Sequence, residues 1–295
     1  MLRSDLKPLS PSSSPAPPRL CAVHYLNTLP LVWSLRAGQA QGRIALSVAS
    51  PADCAERLRA GTADLGLVPV AEMARQALPI VPGTCISSDG PVRSILLVSR
   101  VPWEQVRTLA ADCNSRTSVV LAQVVLQERF GLRVSVQSRP PSLHEMLSGA
   151  DAALIIGDAA LHIDPASIPY RYLDLGEEWR RISGLPMVYA VWAGPAAASS
   201  PWLEAVLADS LAYGEANLDA IVEQEAANFG VEAGFARHYL SHHVRFHLGK
   251  REHAGLEAFL GRGEALGLIV RGEALETAAS GATESKRVPG EGMQP

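Results

Sequence analysis

Short β-rich runs alternate with helical ones twice over, and that alternation limits the possible folds more than any single motif. The first round spans residues 20 to 99. Residues 20–23, 43–49 and 64–68 have the apolar, β-branched character of buried strands, and residues 53–60 have helical spacing, with Asp53 after Pro51 as the capping residue and Gly61 as the stop. Strands separated by a helix cannot be hairpin partners, so the pattern predicts a parallel sheet. Residues 80–86 and 92–99 add two more apolar runs on either side of the turn signal Ser87-Ser88-Asp89-Gly90-Pro91.

After Pro102 the alternation repeats: strands at 106–111, 132–136 and 151–156, helices at 117–130 and 142–148, then strands at 170–175 and 187–192 around a helix at 177–182. Beyond Pro201 only helical spacing is read, through Leu203, Leu207, Leu211 and Ile221 and on into segments 235–246 and 256–266. The expected architecture is α/β and bilobal, with residues 19–101 and 194–275 as lobe 1, residues 102–193 as lobe 2, and the ligand cleft between them. A single larger doubly wound sheet is the competing arrangement. Residues 1–18, rich in Ser and Pro, and residues 276–295, polar and Gly-rich, are expected to be disordered.

Composition narrows the function. The 295 residues carry a net charge of −4 with acids and bases interspersed, so no basic stripe invites nucleic acid, and no apolar run is long enough to span a bilayer. Residues 1–18 lack the continuous apolar region of a secretory signal, which predicts a cytoplasmic protein. Cys21, Cys54, Cys85 and Cys113 are scattered without a C-x-x-C pair and are expected to be reduced thiols. His238, His242, His243 and His247 form two i, i+4 pairs on the late helical segment, without the Glu of H-E-x-x-H, and are read as solvent-exposed rather than metal-binding. Neither a metal nor a cofactor is expected; the partner is a small molecule.

Candidate site residues cluster where strands hand over to helices. Asn27 and Thr28 follow the strand at 20–23 and precede Pro30, which suits a helix's first turn; either residue is a cap or faces a ligand anion. Ser115-Arg116-Thr117-Ser118 opens the helix at 117–130, where hydroxyls, free N–H groups and a cation meet. Ser94 lies just inside an apolar run, so its hydroxyl requires a partner, protein or ligand. Ile155-Ile156-Gly157-Asp158 delivers Asp158 to a helix start, as a cap or as a contact to a substrate hydroxyl.

Taken together, Tyr25-Leu26-Asn27-x-x-Pro30, Asp64-Leu65-Gly66-Leu67-Val68-Pro69, Ile86-x-x-x-Gly90-Pro91-Val92-x-Ser94, Ser115-x-Thr117-Ser118, Ile156-Gly157-Asp158-Ala159-Ala160 and Glu178-Trp179 with Gly184-Leu185-Pro186 resemble the menaquinone-biosynthesis chorismate dehydratases. The match runs over most of residues 20–270. It implies a type II periplasmic-binding-protein-like fold in a cytoplasmic lyase that converts chorismate to 3-[(1-carboxyvinyl)oxy]benzoate on the futalosine route. It further implies that Asn27 and Ser94 work at the reacting end of the substrate, with Tyr25, Ser87, Thr117, Ser118, Gly157 and Asp158 as binding residues. The base stays open between His24, Asp158 and a substrate carboxylate, the last being favoured. Met187 and Tyr189 stand where phenylalanine is expected. Two alternatives remain beside this reading: a non-catalytic binder of a small carboxylic acid, and the dehypoxanthinyl-futalosine cyclase of the same pathway.

Overall fold

The computed structural model describes residues 16–38, 42–199 and 201–272, so most of the leader and all of the expected tail lie outside the described residues. Two mixed sheets form the frame. The first has six strands: β1 (Arg19–Val23), β2 (Ala45–Ala49), β3 (Leu65–Pro69), β4 (Ile80–Ser88), β10 (Met187–Ala193) and β11 (Arg245–Leu248), in the order β11-β4-β10-β3-β1-β2. The second has five: β5 (Ile95–Ser99), β6 (Thr108–Asp112), β7 (Ser135–Arg139), β8 (Ala152–Ile156) and β9 (Arg171–Asp174), in the order β7-β6-β8-β5-β9. In each sheet the strands that alternate with helices are parallel, β1 with β2 and β3, and β6 with β7 and β8. The single larger sheet is therefore not the arrangement adopted.

The chain passes between the sheets twice, from β4 to β5 and from β9 to β10. This moves both expected lobe boundaries. β5 belongs to the second sheet, running antiparallel to β8 and β9, and β10 belongs to the first, running antiparallel to β3 and β4. Sheet pairing, unlike the length of an apolar run, is invisible to periodicity. The interval 87–91 is for the same reason a crossover rather than a hairpin turn.

The helices are α1 (Leu29–Arg36), α2 (Pro51–Arg59), α3 (Val70–Arg75), α4 (Thr117–Phe130), α5 (Leu143–Gly149), α6 (Asp158–Leu161), α7 (Leu175–Ser183), α8 (Pro201–Ala216), α9 (Leu218–Glu225), α10 (Ala233–His238) and α11 (Lys250–Ala265). α8 returns against α1 so closely that a Cβ on Gly214 would lie 1.9 Å from the Pro30 carbonyl oxygen, so no larger residue is tolerated there. The cap of α2 is Ser50, whose Oγ accepts from the Asp53 N–H at 3.1 Å, in place of the expected Asp53. The C-terminal part is not helix only: after α10 comes a π-helical turn, Tyr239–His243, and then β11, with Phe246 and Leu248 buried and Arg245 and His247 exposed. His247 thus sits on a strand, opposite Glu215 at 3.0 Å, and not on a helix with His243. Among the described residues no helix is long and apolar enough to cross a membrane.

Candidate functional site

A pocket opens where the carboxyl ends of the parallel strands of both sheets face one another. Val23, Pro51 and Pro69 come from the ends of β1, β2 and β3; Asn114, Arg116, Thr117 and Ser118 follow β6; Ile156 and Gly157 end β8. This is where α/β folds place ligands, because the strand ends carry loops and helix starts whose N–H groups are unpaired. Ile86 of β4, Val92 and Ser94 of the first crossover, Ile95 of β5, and Tyr189 and Ala190 of β10 complete the lining.

One wall is built around Asn27. After β1 the backbone stays extended at Tyr25 and then turns tightly through Leu26–Thr28 into α1, which carries Pro30 in its first turn. The Leu26 N–H donates to Asp158 Oδ1 of the other lobe at 3.1 Å. Asn27 is buried, and its Nδ2 donates to Tyr239 Oη at 3.0 Å, which in turn donates to Ser94 Oγ at 2.9 Å. Asn27 Oδ1 has no hydrogen-bond partner among the described residues. Thr28 occupies the cap position of α1 without a capping bond, and its buried Oγ1 has no hydrogen-bond partner among the described residues.

Ser94 is set by backbone held under strain. Arg93 adopts a φ of +68°, a left-handed conformation that costs a non-glycine residue about 1 kcal/mol or more. It is held there by Asp174, the cap of α7, whose carboxylate accepts from Val92 N at 2.9 Å, Arg93 N at 2.6 Å, Gly176 N at 2.9 Å and Glu177 N at 3.2 Å. One carboxylate thereby ties the first crossover to the second. Burial raises the Asp174 pKa, and the four N–H donors oppose that rise. The Arg93 side chain adds a bond to the Ala160 carbonyl at 3.2 Å.

The facing wall is the start of α4. Thr117 Oγ1 is already engaged, accepting from Ala71 N at 3.3 Å and donating to the Tyr189 carbonyl at 3.2 Å, so it joins the lobes. Ser118, buried in the first turn, has no hydrogen bond from its hydroxyl to a described residue and lines the pocket. Arg116 brings positive charge: its Nη1 braces the Cys113 and Ser115 carbonyls at 2.9 and 3.0 Å, and its Nε lies 4.0 Å from buried Glu72, which also pairs with Arg75 at 2.7 Å. Tyr189, found where phenylalanine was expected, places its hydroxyl 2.8 Å from Ser88 Oγ, so the added polar atom is satisfied.

Gly157 and Tyr25 are brought together across the lobes. Gly157 has a φ of +62°, and a Cβ there would lie 2.7 Å from the Tyr25 ring, so glycine is required both by conformation and by contact. Burial, then Asp112 and Asp158, holds the Tyr25 phenol above its ordinary pKa, so it remains a neutral donor.

Asn27, Ser94, Tyr25, Thr117, Ser118 and Gly157 therefore meet in one pocket; Ser87 and Asp158 do not line it. Ser87 is buried on β4 with Oγ donating to the Arg245 carbonyl at 3.2 Å, because strand alternation turns it away from the pocket that Ile86 faces. Asp158 caps the turn leading into α1 and not its own helix, and burial pushes its pKa up to about 6. His24 is exposed and packs its ring 5.4 Å from Phe229. Tyr239 and Asp174 were not singled out from the sequence. The only local signal for Tyr239 was its place in a polar, His-rich helical segment; Asp174 closed an apolar run directly before a helix, the ordinary position of a cap.

A family model described as menaquinone biosynthesis matches residues 18–265. The chain belongs to that family. A relative named chorismate dehydratase, from Thermus thermophilus, is 30% identical over 262 residues, which is 83% of this chain and 93% of that protein. Among solved structures, protein AF1704 of Archaeoglobus fulgidus superposes with a TM-score of 0.68 at 14% identity, covering 85% of this chain and 98% of that one. The periplasmic aliphatic sulphonate binding protein SsuA of Escherichia coli superposes with a TM-score of 0.61 at 16% identity, covering 94% and 98%. This member of the menaquinone-biosynthesis family thus has the periplasmic-binding-protein-like fold, with two lobes and a cleft, and at these identities the likeness to solved structures concerns the fold alone.

Proposed function

We propose that the protein is a cytoplasmic lyase that dehydrates chorismate to 3-[(1-carboxyvinyl)oxy]benzoate on the futalosine route to menaquinone. The observation that carries this reading is the pocket's own chemistry. It sets hydroxyl and amide groups, a cation and a helix start around one cleft, the donor set a small organic acid needs. The relative named chorismate dehydratase supports the same reading.

Loss of the C3 hydrogen as a proton and of the C4 hydroxyl yields an aromatic ring and one water, so aromatisation supplies the driving force. The protein's task is to orient a dianion and to stabilise charge as the proton leaves. Ser118, the first-turn N–H groups of α4 and Arg116 hold one carboxylate through charge-assisted bonds. Asn27 and Ser94 contact the reacting carbons, and Tyr25 packs against Gly157 to shape the floor. Among the described residues those lining the pocket include no carboxylate or imidazole, whereas His24 is exposed and Asp158 is engaged with Leu26. The base in this mechanism is accordingly a carboxylate of the substrate acting on its own ring.

Incubation of purified protein with chorismate, with products followed by chromatography, tests the reading. The expected result is stoichiometric conversion to the 3-substituted benzoate. Binding without turnover would replace it with a non-catalytic carrier of a small acid.

A further inference from the structure

We infer that Tyr239 is a positioning residue that fixes the hydrogen-bonding polarity of the site, making Asn27 an acceptor and Ser94 a donor toward the substrate. The inference rests on the proposed roles of Asn27 and Ser94 as substrate contacts, but its physical content is independent of which substrate binds. Tyr239 is buried, and its hydroxyl stands between the two residues, 3.0 Å from Asn27 Nδ2 and 2.9 Å from Ser94 Oγ.

A phenol has one hydrogen. Because Asn27 Nδ2 donates to the Tyr239 oxygen, that hydrogen goes to Ser94, whose own hydrogen is then left for the pocket. The Asn27 amide is held with its nitrogen toward Tyr239, which leaves Oδ1 buried and unpaired beside the cavity. An unpaired buried acceptor costs free energy until a donor arrives, so the pair favours a ligand that brings an O–H group next to an oxygen acceptor. A hydroxylated small acid such as chorismate has this pairing. Burial keeps the Tyr239 phenol protonated, so the arrangement persists across the neutral range.

The local backbone suits this role. Tyr239 opens the π-helical turn at 239–243, a widened turn of the kind frequent at functional sites. Without the phenol oxygen nothing distinguishes the two ends of the Asn27 amide, whose terminal torsion is two-fold. The Ser94 hydroxyl would likewise be free to turn its hydrogen elsewhere.

Tyr239→Phe keeps the ring and removes only the oxygen. It should lower kcat for chorismate ~10- to 100-fold while KM stays within about threefold, the signature of lost alignment at the reacting end. In a Ser94→Ala background the same change should cost several-fold less, because the part of its effect that acts through Ser94 is already lost while the part through Asn27 remains. Equal losses in both backgrounds would overturn the inference. A second readout does not use chemistry at all. With only four asparagines in the chain, selective 15N labelling resolves the Asn27 side-chain amide pair, which should shift in Tyr239→Phe. It should shift also in Ser94→Ala, because Ser94 is hydrogen-bonded to Tyr239 and Tyr239 to Asn27. An amide pair unmoved by either substitution would sink the inference. Amide shifts in a protein that leaves chorismate unchanged would sink the dehydratase reading alone.

Discussion

The two walls of the pocket are built on opposite principles. The Asn27 wall is wired internally: its amide and the Ser94 hydroxyl are joined through Tyr239, and Ser94 is aimed by strained backbone that Asp174 holds in place. The α4 wall is a helix start with one cation, where the Ser118 hydroxyl lines the pocket without a bond to another described residue. The first arrangement fixes direction; the second supplies attraction that tolerates small displacements. A site that must hold a dianion and also align one C–H bond needs both. The wired wall is accordingly expected to govern kcat and the helix-start wall KM.

The sharpest way to break this division is Asn27→Asp, which puts a negative charge beside an anionic substrate and reverses the bond to Tyr239. Turnover should fall ~100-fold or more with the fold retained by circular dichroism, charge mismatch at a buried contact being worth several kcal/mol. Arg116→Gln, on the other wall, should raise KM for chorismate ~10-fold, with kcat changed less than about threefold, as for the loss of one charge-assisted contact. A kcat effect equal to the KM effect would erase the distinction between the walls. A finer cut separates neighbours on α4. Ser118→Ala should raise KM a few fold, whereas Thr117→Val, whose hydroxyl serves the lobe contact, should cost ~1 kcal/mol in urea unfolding and little in KM.

The smallest expected effect concerns Asp158. In the unfolded chain its carboxyl ionises near its ordinary value of 3.8, but in the folded protein burial delays ionisation to about pH 6. Between these values the folded state binds the extra proton, so this residue's contribution to stability is greatest at acid pH and declines as pH rises through 6. Asp158→Asn should flatten that decline in urea midpoints measured from pH 4 to 7, and a slope equal to that of the unmodified protein would refute the assignment.

Legibility in the sequence followed the range of the forces involved. The helix at Thr117–Phe130 was readable to its ends, because an amphipathic face and a C-terminal glycine, Gly131 at φ +68°, are local signals. β1, β3, β8 and β10 were found within two residues, since short apolar runs bounded by polar turns read as buried strands. β11 was missed: four residues alternating buried and exposed are too short to outweigh the helical spacing before them. Six of the eight proposed site residues line the pocket. Ser87 lies off the pocket because one position along a strand reverses the face, and Asp158 lies off it because it is turned to the Leu26 N–H, 132 residues away.

The sequence by itself determined that the chain makes two rounds of strand and helix and where those handovers bring polar groups, because capping, glycine stops and hydrophobic periodicity act over a few residues. Tertiary structure alone decided which sheet β5 and β10 join, that Thr117 spends its hydroxyl on the lobe contact, and that Tyr239 links Asn27 to Ser94 across 212 and 145 residues. Hydrogen-bond partnership of that range depends on how two sheets are set face to face, and no local pattern encodes it.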